Sequence, residues 1–186
     1  TVCVPSGTPD QADRFLFQVP VADLEESSAP DPSRPRILYA VASRDPAIIR
    51  AVAAEDPEAV NRRDLRGRTP LHAAVERDSA IAVEALLGCG ADVHALDGRG
   101  LAPTHLAFEL SCATFLIVAG ADVRNRDSKG TTPLHMVASS YAGTEDHLDL
   151  LLDHGAEIES RTLAGETPLF QAVSTVPFFF HQADVQ

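Results

Sequence analysis

The chain has 186 residues, enough for one domain with appended segments, and 45% of them are hydrophobic, so a sizeable core is within reach. A formal net charge of −12 argues against nucleic acid or an anionic membrane surface as partner, since both are bound mainly through Lys and Arg. Cys3, Cys89 and Cys112 are scattered without metal-site spacing and read as reduced thiols of an intracellular protein, in cytoplasm or nucleus, and no apolar run reaches the length of a membrane span.

Residues 1–33 are rich in Pro, Ser and Asp and carry a net charge of −5, the composition of a disordered segment. Within them "RFLFQVPVADL" is apolar enough to dock on neighbouring structure or to act as a linear recognition motif. From Arg36 the pattern becomes helical. In "RILYAVASRDPAIIRAVAAEDPEAVNRRD", Asp45-Pro46 is a cap followed by a first-turn proline and starts a second helix. At Thr69 a cap and Pro70 open the next helix, whose stripe is Leu71, Ala74 and Val75. Ala82, Val83, Leu86 and Leu87 repeat that stripe in the following helix, and Gly90 ends it in a left-handed conformation. Asp97-Gly98-Arg99-Gly100 is turn chemistry.

The same string then returns. Thr69-Pro70-Leu71-His72 is answered by Ala102-Pro103-Thr104-His105, Thr132-Pro133-Leu134-His135 and Thr167-Pro168-Leu169-Phe170, at intervals of 33, 30 and 35 residues. Gly90-Ala91-Asp92-Val93 is answered by Gly120-Ala121-Asp122-Val123 and Gly155-Ala156-Glu157-Ile158. Self-similarity at this period denotes a stacked array. The units are 34–66, 67–99, 100–129, 130–164 and a partial 165–176. The third is three residues short and has Ala102 in place of the capping Thr and Thr104 in place of the core Leu, which makes it the weakest. The segment 177–186 is an irregular apolar tail, in which Phe178, Phe179 and Phe180 either cover the open end of the stack or mark a truncation, the reading favoured here.

These units resemble the ankyrin repeat, with its Thr-Pro-Leu-His opening, Gly-Ala-Asp ending and Asp-x-x-Gly turn, over residues 34–176. The resemblance implies an all-α ankyrin-repeat solenoid, made of stacked helix-turn-helix units with projecting β-hairpin fingers. It also implies that the first unit is a capping repeat and that the recurring His stabilises the turn into the first helix. His72, His105 and His135 occupy one repeat position about 10 Å apart, the spacing of packed helices. Metal ligands must converge within about 2 to 2.5 Å of one point. No catalytic, cofactor-binding or metal-ligating residue is therefore expected. Asp92, Asp122 and Glu157 are read as turn stabilisers, and His147 faces no evident partner.

In this family partners are usually met by the finger tips and the first, concave-facing helix. The matching positions are Arg63, Leu65, Arg66 and Arg68, with Glu76 and Arg77 on the helix behind; then Leu96, Arg99 and Leu101; then Arg126, Ser128 and Lys129; and finally Arg161 and Leu163. The finger windows 61–68, 94–101, 124–131 and 159–166 sum to +3, 0, +2 and −1, whereas the rest of 34–186 carries −11. A basic ridge on an acidic body suits an acidic protein partner with apolar side chains between its charges. The resulting expectation is a monomeric, non-enzymatic interaction module without cofactor. A second reading makes the chain the regulatory ankyrin segment of a larger enzyme, such as a kinase, ubiquitin ligase or phosphodiesterase, prompted by its start at Thr1 and the broken fifth unit.

Overall fold

A computed structural model of the chain describes residues 36–140 and 144–175. The expectations for 1–33 and 177–186 lie outside the described residues. Chain order gives α1 (Arg36–Ser43), α2 (Pro46–Glu55), a 3-10 helix (Pro57–Asn61), α3 (Pro70–Glu76), α4 (Ala80–Gly88), a second 3-10 helix (Pro103–Leu106), α5 (Leu110–Val118), α6 (Pro133–Ala138), α7 (Glu145–Asp153) and α8 (Pro168–Thr175).

Local chemistry sets the helix starts. The Asp45 carboxylate accepts from the Ala47 N–H at 2.8 Å, and Pro46 follows it into α2. Proline also leads α3, α6 and α8 and the 3-10 helix at Pro103, where its missing N–H costs nothing. The second helices end on glycine. Gly90, Gly120 and Gly155 have φ of +86°, +91° and +91°. At each, the following alanine N–H reaches back five residues: Ala91 to Leu86, Ala121 to Leu116 and Ala156 to Leu151, at 3.0, 2.9 and 2.9 Å. This closure satisfies carbonyls that the helix end would otherwise leave open.

The helices stack in two rows. One runs α1, α3, the 103–106 helix, α6 and α8; the other runs α2, α4, α5 and α7. Each helix packs on its neighbour along the row, and each except α8 also packs on a partner across the rows. The core lies between the rows, built from Ile37, Ile49, Leu71, Val75, Val83, Leu86 and Leu116 through the first three units. Ile117, Val123, Leu134, Val137 and Leu151 form a second cluster.

The expected β-hairpin fingers are absent: among the described residues there is no strand. The reason is where the backbone donors go. Asp64 N–H donates to the Arg68 carbonyl and Gly67 N–H to the Asp64 carbonyl, both at 2.9 Å, which closes a tight turn. The N–H groups of Arg66 and Arg68 then donate to Asp64 Oδ1 at 2.8 Å each. Asp97 and Asp127 repeat the arrangement. An antiparallel ladder needs reciprocal backbone pairs along two arms, and the aspartate has taken the donors that would make them. The tips bond sideways instead: Gly98 N–H to the Arg66 carbonyl at 2.8 Å, Ser128 to Arg99 at 2.9 Å and Leu163 to Lys129 at 2.8 Å. Adjacent turns are thus joined tip to tip.

The third unit is the irregular one. Its first helix is a four-residue 3-10 turn where α3 has seven residues of α-helix. Thr104 is buried, and its hydroxyl has no hydrogen-bond partner among the described residues. An unsatisfied buried hydroxyl costs about 1–3 kcal/mol. Amide exchange of residues 103–108 is therefore expected to be fastest among the internal units. Protection equal to that of α3 would refute this.

Candidate protein-interaction surface

The three repeating histidines are scaffold. His72 is fully buried, and its Nε2 faces the Leu101 carbonyl of the next unit at 3.0 Å. A carbonyl only accepts, so Nε2 carries the proton and Nδ1 is the acceptor. Nδ1 receives the Thr69 N–H at 3.2 Å and the Thr69 hydroxyl at 2.9 Å. Thr69 and His72 thus form a capping box at the start of α3, and the Thr69 hydroxyl also donates to the imidazole. His105 and His135 repeat the geometry, reaching the Thr131 and Glu166 carbonyls at 3.0 and 3.1 Å. Each ring clasps one unit to the next. Burial holds the pKa values of His72 and His105 below the ordinary 6.5, despite the carbonyl each faces. A ring that is buried, neutral and bonded at both nitrogens is unavailable as a general base.

His147 differs from the sequence expectation. It is buried at the start of α7 against the Phe108 backbone, with Glu109 near, and its Nδ1 has no partner among the described residues. Burial lowers its pKa as well. No repeat signal marked this contact, because His147 and Phe108 belong to different units, the fourth and the third. His154 caps the α7 end, its ring Nδ1 bonding the Leu150 carbonyl at 2.8 Å. Asp92 and Asp122 accept from the N–H groups of His94 and Arg124 at 2.9 and 2.8 Å, the turn role expected of them. Among the described residues no group of His, Cys, Asp or Glu is placed to hold a metal ion. No described helix is long and apolar enough to cross a membrane.

The basic residues of the turns divide into two sets. The first is spent on the scaffold. Arg63 donates to the Gly67 carbonyl at 3.0 Å and also to the Leu96 carbonyl of the next turn. Arg126 donates to Arg161 O at 2.7 Å, and Arg161 to Gly165 O at 3.0 Å. Arg68 pairs with Asp64 at 3.1 Å and Glu76 at 2.7 Å, so those charges largely cancel. Arg77 is half-buried, and its carbonyl accepts from Arg44 at 3.0 Å.

The second set points outward. Arg66, Arg99 and Lys129 are exposed, and each stands two residues after its turn aspartate. Arg99 approaches Asp97 at 3.6 Å, a loose pair beside a carboxylate already bonded to two backbone amides. Burial alone would raise the Asp97 pKa, but the Leu101 and Arg99 amides outweigh it and hold it below 3.8. The tip carbonyls of this set are the acceptors of the turn-to-turn bonds, so the backbone under the three cations is fixed at one pitch. That pitch is about 10 Å if it follows the packing of the helices below.

Leu65 and Leu163 are exposed at the two ends of this row, and Leu96 is partly so. Ser128 is exposed beside Lys129, its N–H committed to Arg99. Leu101 requires a correction. It is only 5% exposed and its carbonyl is the His72 acceptor, so its side chain is not on the surface. Its backbone is held between the Asp97 carboxylate and the His72 ring, which the position one residue past the Gly did not reveal.

No curated protein matches the chain. Two family models do: ankyrin repeats (many copies) over residues 52–107 and ankyrin repeats (3 copies) over 104–184. Arrays of this kind generally mediate protein–protein interaction. With the paired helix rows, the inter-unit histidines and these matches in agreement, the chain belongs to the ankyrin-repeat family.

Proposed function

We propose that this chain is a non-enzymatic module that binds an acidic protein surface through Arg66, Arg99 and Lys129, with Leu65 and Leu163 as apolar anchors at either end of the row. The supporting observation is that these three cations stand at one repeat position on turns bonded tip to tip, while Arg63, Arg68, Arg126 and Arg161 are occupied holding the turns together. A row with a fixed backbone meets a partner with little ordering cost. Because 34–186 outside the turn windows is strongly acidic, it repels an acidic partner that approaches elsewhere and confines the attraction to the row.

The proposed partner presents carboxylates at a similar pitch with apolar side chains between them, and the chain acts as a monomer inside the cell. Arg66→Glu with Lys129→Glu is expected to reduce capture of partners from a cell extract by at least about tenfold, since buried or semi-buried charge pairs at interfaces couple by about 1.5 kcal/mol or more. Arg66→Glu with Lys129→Glu should also flatten the salt dependence of what binding remains. Because neither side chain holds the scaffold, the thermal midpoint should stay within about 2 °C, as surface changes shift stability by under about 0.5 kcal/mol. Unchanged capture at an unchanged midpoint would reject the proposal.

A further inference from the structure

The last described helix is bare where its counterparts are buried. Leu71, His72 and Val75 of α3 are each 0% exposed; the residues 98 positions on, Leu169, Phe170 and Val173 of α8, are 71%, 55% and 55% exposed. Ile158, 60% exposed, lies beside them, and Leu169, Phe170 and Ile158 line one open hollow with Glu159 and Arg161. α8 packs on α6 along its row, but among the described residues nothing plays for it the part that α4 plays for α3. A contiguous apolar face of this kind in water calls for a cover.

Phe170 says what kind. In the second, third and fourth units this position is a His whose Nε2 donates to a carbonyl of the following turn. Phenylalanine has no such donor. The clasp that would receive another unit is missing from the side chain itself, and an apolar ring stands in its place.

We propose that residues 176–186 of the same chain cover this face, with Phe178, Phe179 and Phe180 packing on Leu169, Phe170 and Val173. Three observations support this occupant. α4 begins four residues after α3 ends, and the same interval after Thr175 falls on Phe179. The family match continues to residue 184, across this segment. The segment departs from the repeat where the repeat would need a core leucine: Asp184 falls where Leu86 does. It offers three phenylalanines at its start instead, which supply the bulk of a cover without the pattern of a second helix. Three aromatic rings can bury on the order of 450 to 750 Å² together, ample for three exposed side chains.

The test is amide hydrogen exchange of the whole chain, read by mass spectrometry, at two protein concentrations a hundredfold apart. In the unchanged chain α8 is expected to be protected at both concentrations. In the variant Phe178→Ser, Phe179→Ser, Phe180→Ser, α8 should lose protection at least tenfold, while α3 and α4, three units away, keep theirs and report that the fold stands. A milder variant, Phe179→Ala alone, should lose part of that protection should the triple variant unfold. Rapid exchange of α8 in the unchanged chain would overturn the proposal. So would equal α8 protection with and without the phenylalanines. Protection that disappears on dilution would also overturn it, by assigning the face to a second copy.

Discussion

His72→Ala is expected to lower the free energy of unfolding by about 3 kcal/mol, combining the cavity left by a buried ring with a buried carbonyl stripped of its donor. The ring is 0% exposed and spans two units, from Thr69 on one side to the Leu101 carbonyl on the other. Its removal therefore weakens an interface between units as well as a turn within one, and coupling between neighbours is what makes an array cooperative. The urea midpoint should fall, with the slope of the transition retained. His105→Ala should cost less than His72→Ala. Ala102 has no hydroxyl, so His105 Nδ1 receives only the Ala102 N–H, at 3.1 Å. His154→Ala is the control: the side chain is exposed and bonds only the local Leu150 carbonyl. A loss at His72 no greater than at His154, whose expected effect is within about 0.5 kcal/mol, would mean the clasp contributes nothing.

Acid is expected to destabilise the fold from about pH 6.5 downward. His72, His105 and His147 all titrate below 6.5 in the folded chain, chiefly because burial disfavours the charged ring. Between their folded and unfolded values the unfolded chain binds more protons, so stability rises with pH. Their contribution is complete above pH 6.5 and is lost as pH falls below it. Each can contribute up to about 1.4 kcal/mol per pH unit within its window. Asp64 and Asp97 act in the same direction at lower pH. Burial opposes their ionisation, yet the turn amides and the neighbouring Arg68 and Arg99 hold both below 3.8. Asp78 works the other way: burial and then Glu109 raise its pKa, so that residue gains stability as pH falls. One carboxyl does not offset three imidazoles. Urea midpoints measured from pH 7.5 to 5 should therefore decline, most steeply below 6.5. A flat or rising profile would contradict the buried, neutral state of the three rings.

Much of the fold was legible because its signals are local and repeated. Pro at a first helical position and Gly in a left-handed helix end act through the backbone of one or two residues, so Pro70 and Gly90 carry their meaning wherever they stand. Recurrence at 33, 30 and 35 residues then supplied the stacking, since a unit that cannot bury its own face must pack on the next. The defect of the third unit was readable in the same way, from a missing Thr and three missing residues.

The candidate site was legible only as a set of positions. Charge counting treats Arg63, Arg66, Arg68 and Arg126 alike, but an arginine can donate to a carbonyl of the next turn or project into water, and its partner lies about 30 residues away in the chain. The missing strands have the same origin. Whether Asp64 lets two arms pair or takes their amides itself depends on the turn it closes. The burial of Leu101 and the Phe108 contact of His147 likewise belong to junctions between units. By itself the sequence determined the unit, its helix ends and its repetition, because those rest on backbone preferences of single residues. The tertiary structure decided which cations are spent on carbonyls of other turns, which leucines are outside and whether the turns become hairpins, because each depends on a partner or a surface beyond the residue itself.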